Sequence, residues 1–521
     1  MLFNSYEFIF LFLPVVFAGF FFLARFGHNI SALWLSLASL VFYGWWSPKY
    51  IWLLLFSIVF NYSMGYLIGH AVTRKRAKTF LVLAIAMNLA LLGFFKYANF
   101  FIGNINAISG ESLSFVSIVL PLGISFFTFT QIAYLVDVHR GIAREYNFNH
   151  YLLFVTYFPH LIAGPVLHHG QMMPQFVRGE TYRMRLDNVA VGLSIFTIGL
   201  AKKVLLADSF AEYAGPVFSA AERGIQPDFI EAWTGALAFS LQLYFDFSGY
   251  CDMAIGVSLL FGIRLPINFN SPYKASSIIE FWRRWHMTLS QFLRDYLYIP
   301  LGGNRKGTAW RHTNLVITMV LGGLWHGANW TFVIWGALHG MYLVINHAWR
   351  GFFGKWLPAH GVQGKIYYVA AIALTFFCVA VAWIFFRAES LNAALLLLKG
   401  CFGYGGISLP SKVAMVAESI GKLLPSGVGF GGVFINIPAM GAMGGIAPFA
   451  RLLLVGLLIV WLAPNCQELF NYDAQGRAKG DMTRWKLIWQ PKPWVGVLLG
   501  CLLFLAVGKL DKVSPFLYYQ F

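Results

Sequence analysis

From residue 314 to residue 345 the chain carries no Asp, Glu, Lys or Arg, and a series of other stretches is nearly as bare. Such runs leave few options. A helix crossing a bilayer needs about 20 mostly apolar residues, and hydrocarbon demands that every backbone N–H and C=O be satisfied within the segment. Runs of that kind fall near 7–24, 30–46, 49–69, 79–97, 115–136, 189–206, 233–262, 314–333, 334–349, 366–386, 450–464 and 493–510. The stretch 150–170 is apolar but interrupted by Pro159, Gly164 and Pro165, and reads as re-entrant. The pattern predicts an all-α polytopic membrane protein with roughly 10–13 transmembrane and re-entrant helices. One continuous membrane domain over 1–521 is the simplest organisation.

Composition removes the soluble alternative. Hydrophobic residues make up 58% of the chain and charged ones 11%, against about 25% charged in a soluble domain. A surface facing lipid needs few charges because each is costly there. The net charge of +17 raises the question of nucleic acid. The basic residues, however, gather in short loops between apolar runs, which is the positive-inside pattern and argues for a membrane instead. The five cysteines show no CxxC pair, so neither a disulfide framework nor a metal site is expected. The N-terminus has no basic residues ahead of its apolar run and no small-residue cleavage site, so a retained first helix is expected.

Orientation follows from the loops. TRKRAK (73–78) is the strongest basic loop and should face the cytoplasm. Counting back from it puts the N-terminus outside and Arg25 inside. Counting forward puts 98–114 outside and DVHRGIARE (137–145) inside, and if 150–170 dips in and returns, the basic stretch 178–185 is inside too.

Two regions break the pattern. The stretch 264–313 is rich in Arg and Trp, and Ile279, Phe281, Trp282, Trp285, Leu289, Phe292 and Leu293 recur at helical spacing. That predicts a helix over 279–297 lying along or obliquely in the membrane; an interfacial anchor explains it as well as a binding element does. The region 400–450 is glycine-rich and reads as an extramembrane loop or insertion. No internal repeat is visible, so an inverted-repeat transporter gains no support.

Polar residues within apolar helices are functional candidates because burying them is costly. His326 leads, set in LGGLWHGANW with Gly322, Gly323 and Gly327 beside it. A histidine away from water stays neutral, as a general base must be, although a core histidine bonded to a carbonyl fits equally. His339 fits that second reading. His286 sits in EFWRRWHMTLSQFLRDY, where Arg283, Arg284 and Arg294 suit phosphate and Trp282 and Trp285 suit a stacked base. A nucleotide-bearing acyl carrier has both features; lipid phosphates explain the arginines too. Asp246 and Asp252, at i and i+6, point to different helix faces and are expected to pair with those arginines or to cap polar cavities. There is no P-loop, GxSxG or HExxH motif.

At WRRWH (282–286) and LWHG (324–327) the chain resembles the membrane-bound O-acyltransferase family, in its bacterial branch typified by the alginate O-acetylation protein. GISFFTF (123–129), FPHLIAGP (158–165), QLYFDFSGYCDMAIG (242–256), NFNSPY (268–273), EFWRRWHMTLSQFLRDYLYIPLGGN (280–304), LGGLWHGANWTFVIWGALHG (321–340) and SPFLYYQF (514–521) all carry the likeness. The resemblance implies a ring of tilted helices around a central funnel or tunnel in a bacterial inner membrane. The family's essential histidine matches His326 and its second motif histidine matches His286. It implies acetyl-CoA as a transient donor with no permanently bound cofactor, and an acceptor on the far side: an exported polysaccharide (alginate, cellulose or similar) or an extracytoplasmic acetyltransferase partner.

On this reading His326 deprotonates the acceptor hydroxyl, Asn329 or Trp330 supplies oxyanion donors, and His286, Arg283, Arg284, Trp285, Arg294, Asn304 and Trp325 hold substrate. The alternative from another class is a transporter or flippase moving an acyl or lipid-linked group through a central pore. A structural subunit of an export complex is a third. Within the family, lipid acylation and D-alanylation of teichoic acid are disfavoured by the closeness of the motifs.

Overall fold

The computed structural model describes residues 1–110, 112–116, 118–143, 147–162, 164–354, 356–358, 360–408, 428–429, 436–437, 446–470, 489–510 and 516–517. It is helical almost throughout. Among the described residues the only strand pairing is a two-residue parallel bridge, Ile407–Ser408 against Val428–Gly429. Most of the glycine-rich 400–450 region, and most of SPFLYYQF, lies outside the described residues.

Among the described residues, four helices have the length and apolarity to cross a membrane: α1 (Pro48–Gly69), α2 (Arg74–Ser109), α4 (Leu186–Glu222) and α8 (Gly361–Arg387). The shorter apolar helices Glu7–Leu23, Leu391–Cys401, Ile446–Leu462 and Pro493–Val507 stand beside them. The remaining helices used below are α3 (Ile124–His139), α5 (Phe229–Leu260), α6 (Thr308–His326) and α7 (Trp330–Phe353).

The loop charges predict one basic, cytoplasmic end. Arg74, His139 and Arg140 surround one opening, and Arg140 reaches on to the backbone carbonyl of Asp295 (3.3 Å). Trp46, Leu120 and Leu122 gather at the opposite end. The Lys/Arg rule assigns the first end to the cytoplasm.

The centre is built on α5, 32 residues long and buried along most of its length. Its start is a capping box in which Asp228 accepts from Glu231 N (2.8 Å) and Glu231 accepts from Asp228 N (2.9 Å). Helix α4 lies so close that a Cβ added to Gly199 would stand 2.6 Å from the carbonyl oxygen of Gly249, the small-residue contact by which membrane helices approach. A π-helical turn, Lys202–Ala207, interrupts α4 there and aims two lysines at α5. Lys202 pairs with Asp252 (2.6 Å), and Lys203 with both Asp246 and Asp208 (2.8 Å each). The expected pairing of Asp246 and Asp252 with arginines is therefore wrong. The extra residue of the π turn sets successive lysines against carboxylates six residues apart.

The structure moves several boundaries. The described residues of 115–123 are not helical; α3 starts at Ile124. The 150–170 stretch is broken as expected, into Phe148–Thr156 and Phe158–Leu161, with helix resuming at His169. The helix expected over 279–297 is interrupted: Ile278–Trp282 ends, and a new helix starts at Met287, capped by His286 with a left-handed backbone (φ 42°). The spans 314–333 and 334–349 are divided at Gly327–Asn329 instead, directly after His326.

Candidate active site

Both histidine motifs lie at these chain breaks, and the breaks meet. Helix α6 ends at His326, so its last carbonyls have no partner within the helix. They are taken by two side chains from the π-helical turn Gly93–Tyr97 in α2. The ammonium of Lys96 donates to the carbonyls of Trp325 (2.5 Å) and His326 (3.0 Å) and to Ser125 Oγ (3.3 Å). Tyr97 donates to the carbonyl of Leu324 (2.7 Å). A cation at a helix C-terminus also opposes the helix dipole. Helices α6 and α7 leave no room for more: a Cβ on Gly323 would stand 2.2 Å from the carbonyl oxygen of Phe332.

The His326 ring is only 5% exposed. It is enclosed by Trp325, Trp335 and Phe386, with ring centroids 4.8, 5.2 and 5.1 Å away. His326 also lines an outer cavity of about 100 Å³, together with Trp46, Lys96, Ser125, Phe126 and Trp325 among others.

His286 is fully buried. Its Nδ1 donates to Oδ1 of Asn268 (3.1 Å), which also accepts from the backbone N–H (3.2 Å) and hydroxyl (3.0 Å) of Thr288. The Thr288 amide can only donate, so the oxygen of Asn268 faces the ring; a neutral imidazole bonded this way carries its lone pair on Nε2. Thr288 Oγ1 accepts in turn from Val166 N (2.9 Å), which ties the re-entrant segment to the same point.

Thr288 also lines a second, inner cavity of about 590 Å³ at the basic end, together with Gln171, Trp282, Arg283, Met287 and Arg294. The two cavities approach a common wall. Thr288 contacts Asn268, Asn268 contacts His286, and the Trp325 ring lies 6.2 Å from His286 and 4.8 Å from His326. Trp325 is itself stacked on Phe129 (5.4 Å, 21°).

The structure therefore brings together His326, His286, Trp325, Arg283 and Arg294. Others stand apart from these two cavities. Arg284 is bound to Glu280 (2.7 Å) and to the carbonyl of Asn270 (3.2 Å). Trp285 is buried between Phe281 and Tyr273. Asn304 is exposed on a turn. Asn329 caps α7 by accepting from Thr331 N (3.0 Å) and donates to the carbonyl of Glu389 (2.7 Å), while Trp330 donates to Asn104 (2.8 Å). Neither Asn329 nor Trp330 is turned toward His326 as an oxyanion donor. His339 is enclosed by Phe281, Trp282 and Trp335; the carbonyl partner expected of a core histidine is not found for either ring nitrogen among the described residues.

Residues 124–386 match the membrane-bound O-acyltransferase family. That interval begins at the first residue of α3 and ends at Phe386, which packs on His326. The chain belongs to that family. It is 40% identical to a peptidoglycan O-acetyltransferase of Helicobacter pylori over all of this chain and 98% of the relative. It is 41% identical to a probable alginate O-acetylase of Azotobacter vinelandii over the full length of both. A teichoic acid D-alanyltransferase of Streptococcus thermophilus is 30% identical over 44% of this chain and 57% of its own. The protein is thus a multi-pass membrane O-acyltransferase. Lys96 and Tyr97, which hold its α6 end, precede the matched interval.

Proposed function

We propose that this acyltransferase moves acetyl groups from cytoplasmic acetyl-CoA to hydroxyl groups outside the bacterial inner membrane. The acceptor is an exported polysaccharide or an extracytoplasmic partner that relays the group to one. The observation that carries this reading is the pair of cavities at opposite ends of the molecule, which converge on one wall holding His286, Trp325 and His326. The inner cavity carries Arg283 and Arg294, suited to the phosphates of the donor. The outer cavity carries the exposed part of His326, where an acceptor hydroxyl can arrive.

The acceptor oxygen attacks the thioester carbonyl while His326 takes its proton. The C–S bond then breaks, the acyl–oxygen bond remains, and the thiolate recovers the proton. His286, fully buried and set by Asn268, lies behind Met287 and Thr288 of the inner cavity and positions the thioester from there. The names of the relatives, a peptidoglycan and an alginate O-acetylase, support acetyl as the group transferred.

The test is transfer from radiolabelled acetyl-CoA by membranes bearing the wild type or His326→Ala, with and without exported partner proteins. Label should reach glycan or partner only with the wild type. Equal transfer by both would remove His326 from the chemistry, and uptake without acyl ester formation would favour a pore.

A further inference from the structure

Five cationic or imidazole side chains gather at the basic end of α6 and α7, with no carboxylate paired to them among the described residues. His347 is within electrostatic reach of Arg311, His312, Arg350 and Arg283, and Arg311 lies 3.2 Å from the ring of His312. None of the five forms an ion pair among the described residues. The depth of the cluster is marked by aromatic side chains on the same stretch. Trp349, Phe352 and Trp356 are 45%, 78% and 84% exposed, as in the aromatic belt at a membrane interface.

Directly beside the cluster a groove of about 300 Å³ runs between α7 and α8. One wall is Tyr342, Ile345 and Trp349, and the other includes Leu374 with Ala370 and Ala371, whose small side chains make the room. Its floor is Ser276, Ser277 and Ile278. Arg350 stands at the rim, with one Nη donating to Ser277 Oγ (3.0 Å); a guanidinium has five N–H donors in all.

We propose that this groove holds one anionic phospholipid, its phosphate paired with Arg350 and Arg311 and one acyl chain lying between α7 and α8. Charge complementarity selects this occupant. An apolar slot at membrane depth accepts a hydrocarbon chain, and the unbalanced cations above it, at headgroup level, require an anion. A zwitterionic lipid fills the slot but leaves the cluster uncompensated.

The site also reaches the inner cavity. Its floor, 276–278, is the start of the short helix Ile278–Trp282, which leads into Arg283 and His286. Arg283 belongs to the lining of the inner cavity and is a neighbour of His347. A bound phosphate at Arg350 and Arg311 screens the repulsion that the cluster exerts on Arg283, and the chain supports the floor from below.

Binding can be read without turnover. Wild-type protein is released from nanodiscs made of equal parts phosphatidylglycerol and phosphatidylcholine and weighed by native mass spectrometry. Retained phosphatidylglycerol in clear excess over phosphatidylcholine is expected, and equal retention of the two overturns the proposal without any variant. Arg311→Gln with Arg350→Gln should lower that retention at least ~10-fold, as should Ala371→Phe, which fills the slot and leaves the charges in place. Displacement of the lipid by inorganic phosphate or coenzyme A, with Ala371→Phe behaving as wild type, would show a soluble phosphate site and overturn the lipid assignment.

Discussion

Replacing Lys96 by Met removes the one side chain that holds both final carbonyls of the helix bearing His326. Met keeps most of the aliphatic stem, so the loss is that of the ammonium. Two backbone acceptors then lose their donor, along with the contact to Ser125. A buried acceptor left unsatisfied costs about 1–3 kcal/mol, and the lost cation at a helix C-terminus adds about 0.3–1 kcal/mol. Water entering from the outer cavity can satisfy part of this, so a cost of ~2–4 kcal/mol localised to the turn at His326 is expected. Charged to the transfer step, that is about 30- to 900-fold in rate. The assay is acetyl transfer by membranes at saturating and limiting acetyl-CoA. The rate at saturation should fall while the donor KM stays within about twofold, because the inner cavity proposed for the donor is lined by other residues. Tyr97→Phe, which frees only the Leu324 carbonyl, should cost ~1 kcal/mol, or about fivefold. Transfer at the wild-type rate by Lys96→Met would refute the reasoning. So would a fall matched by loss of folded protein from the membrane.

Three further outcomes follow from geometry elsewhere. Lys203→Met leaves Asp246 and Asp208 without their shared cation, Asp246 being 2% exposed; a loss of about 3–5 kcal/mol is expected. It should appear as a lower melting temperature in detergent, and adding Asp246→Asn should restore part of it. Asn268→Leu deprives the His286 ring and both donors of Thr288 of one acceptor. Transfer should fall at least ~10-fold, more than for Asn268→Asp, which keeps an acceptor oxygen; equal effects of the two changes would argue against the positioning role. Arg283→Gln should raise the acetyl-CoA KM by about 5- to 30-fold with little change in the saturated rate, as for a lost charge-assisted contact of about 1–2 kcal/mol. Arg294→Gln should do less, since that side chain is 61% exposed and already paired with Asp295 at 2.7 Å.

The sequence by itself determined the membrane class, most of the apolar segments and the broken character of 150–170, and its loop charges set the expected orientation. Each is a local property: hydropathy over one span, or the sign of one short loop. It also singled out His326, a polar residue in an apolar run, and His286, set among arginines and tryptophans; both patterns are visible without knowing the spatial neighbours. The motif resemblance named the acyltransferase family, which the comparisons then bear out. Lys96 was equally visible as a lone cation in the span 79–97. Its task was not, because its partners are 229 and 230 residues away.

Only the tertiary structure decided the chain breaks at Arg283–His286 and Gly327–Asn329, which helical periodicity runs straight through. Only it showed that Asn329 and Arg284 are spent on a helix cap and on Glu280 rather than offered to a substrate. A side chain's type can be read from sequence. Which of its hydrogen bonds are already taken depends on which helices dock beside it. In this fold that docking brings Lys96 to the carbonyls of Trp325 and His326, and it draws helices together at contacts where a Cβ on Gly199 or Gly323 would not fit.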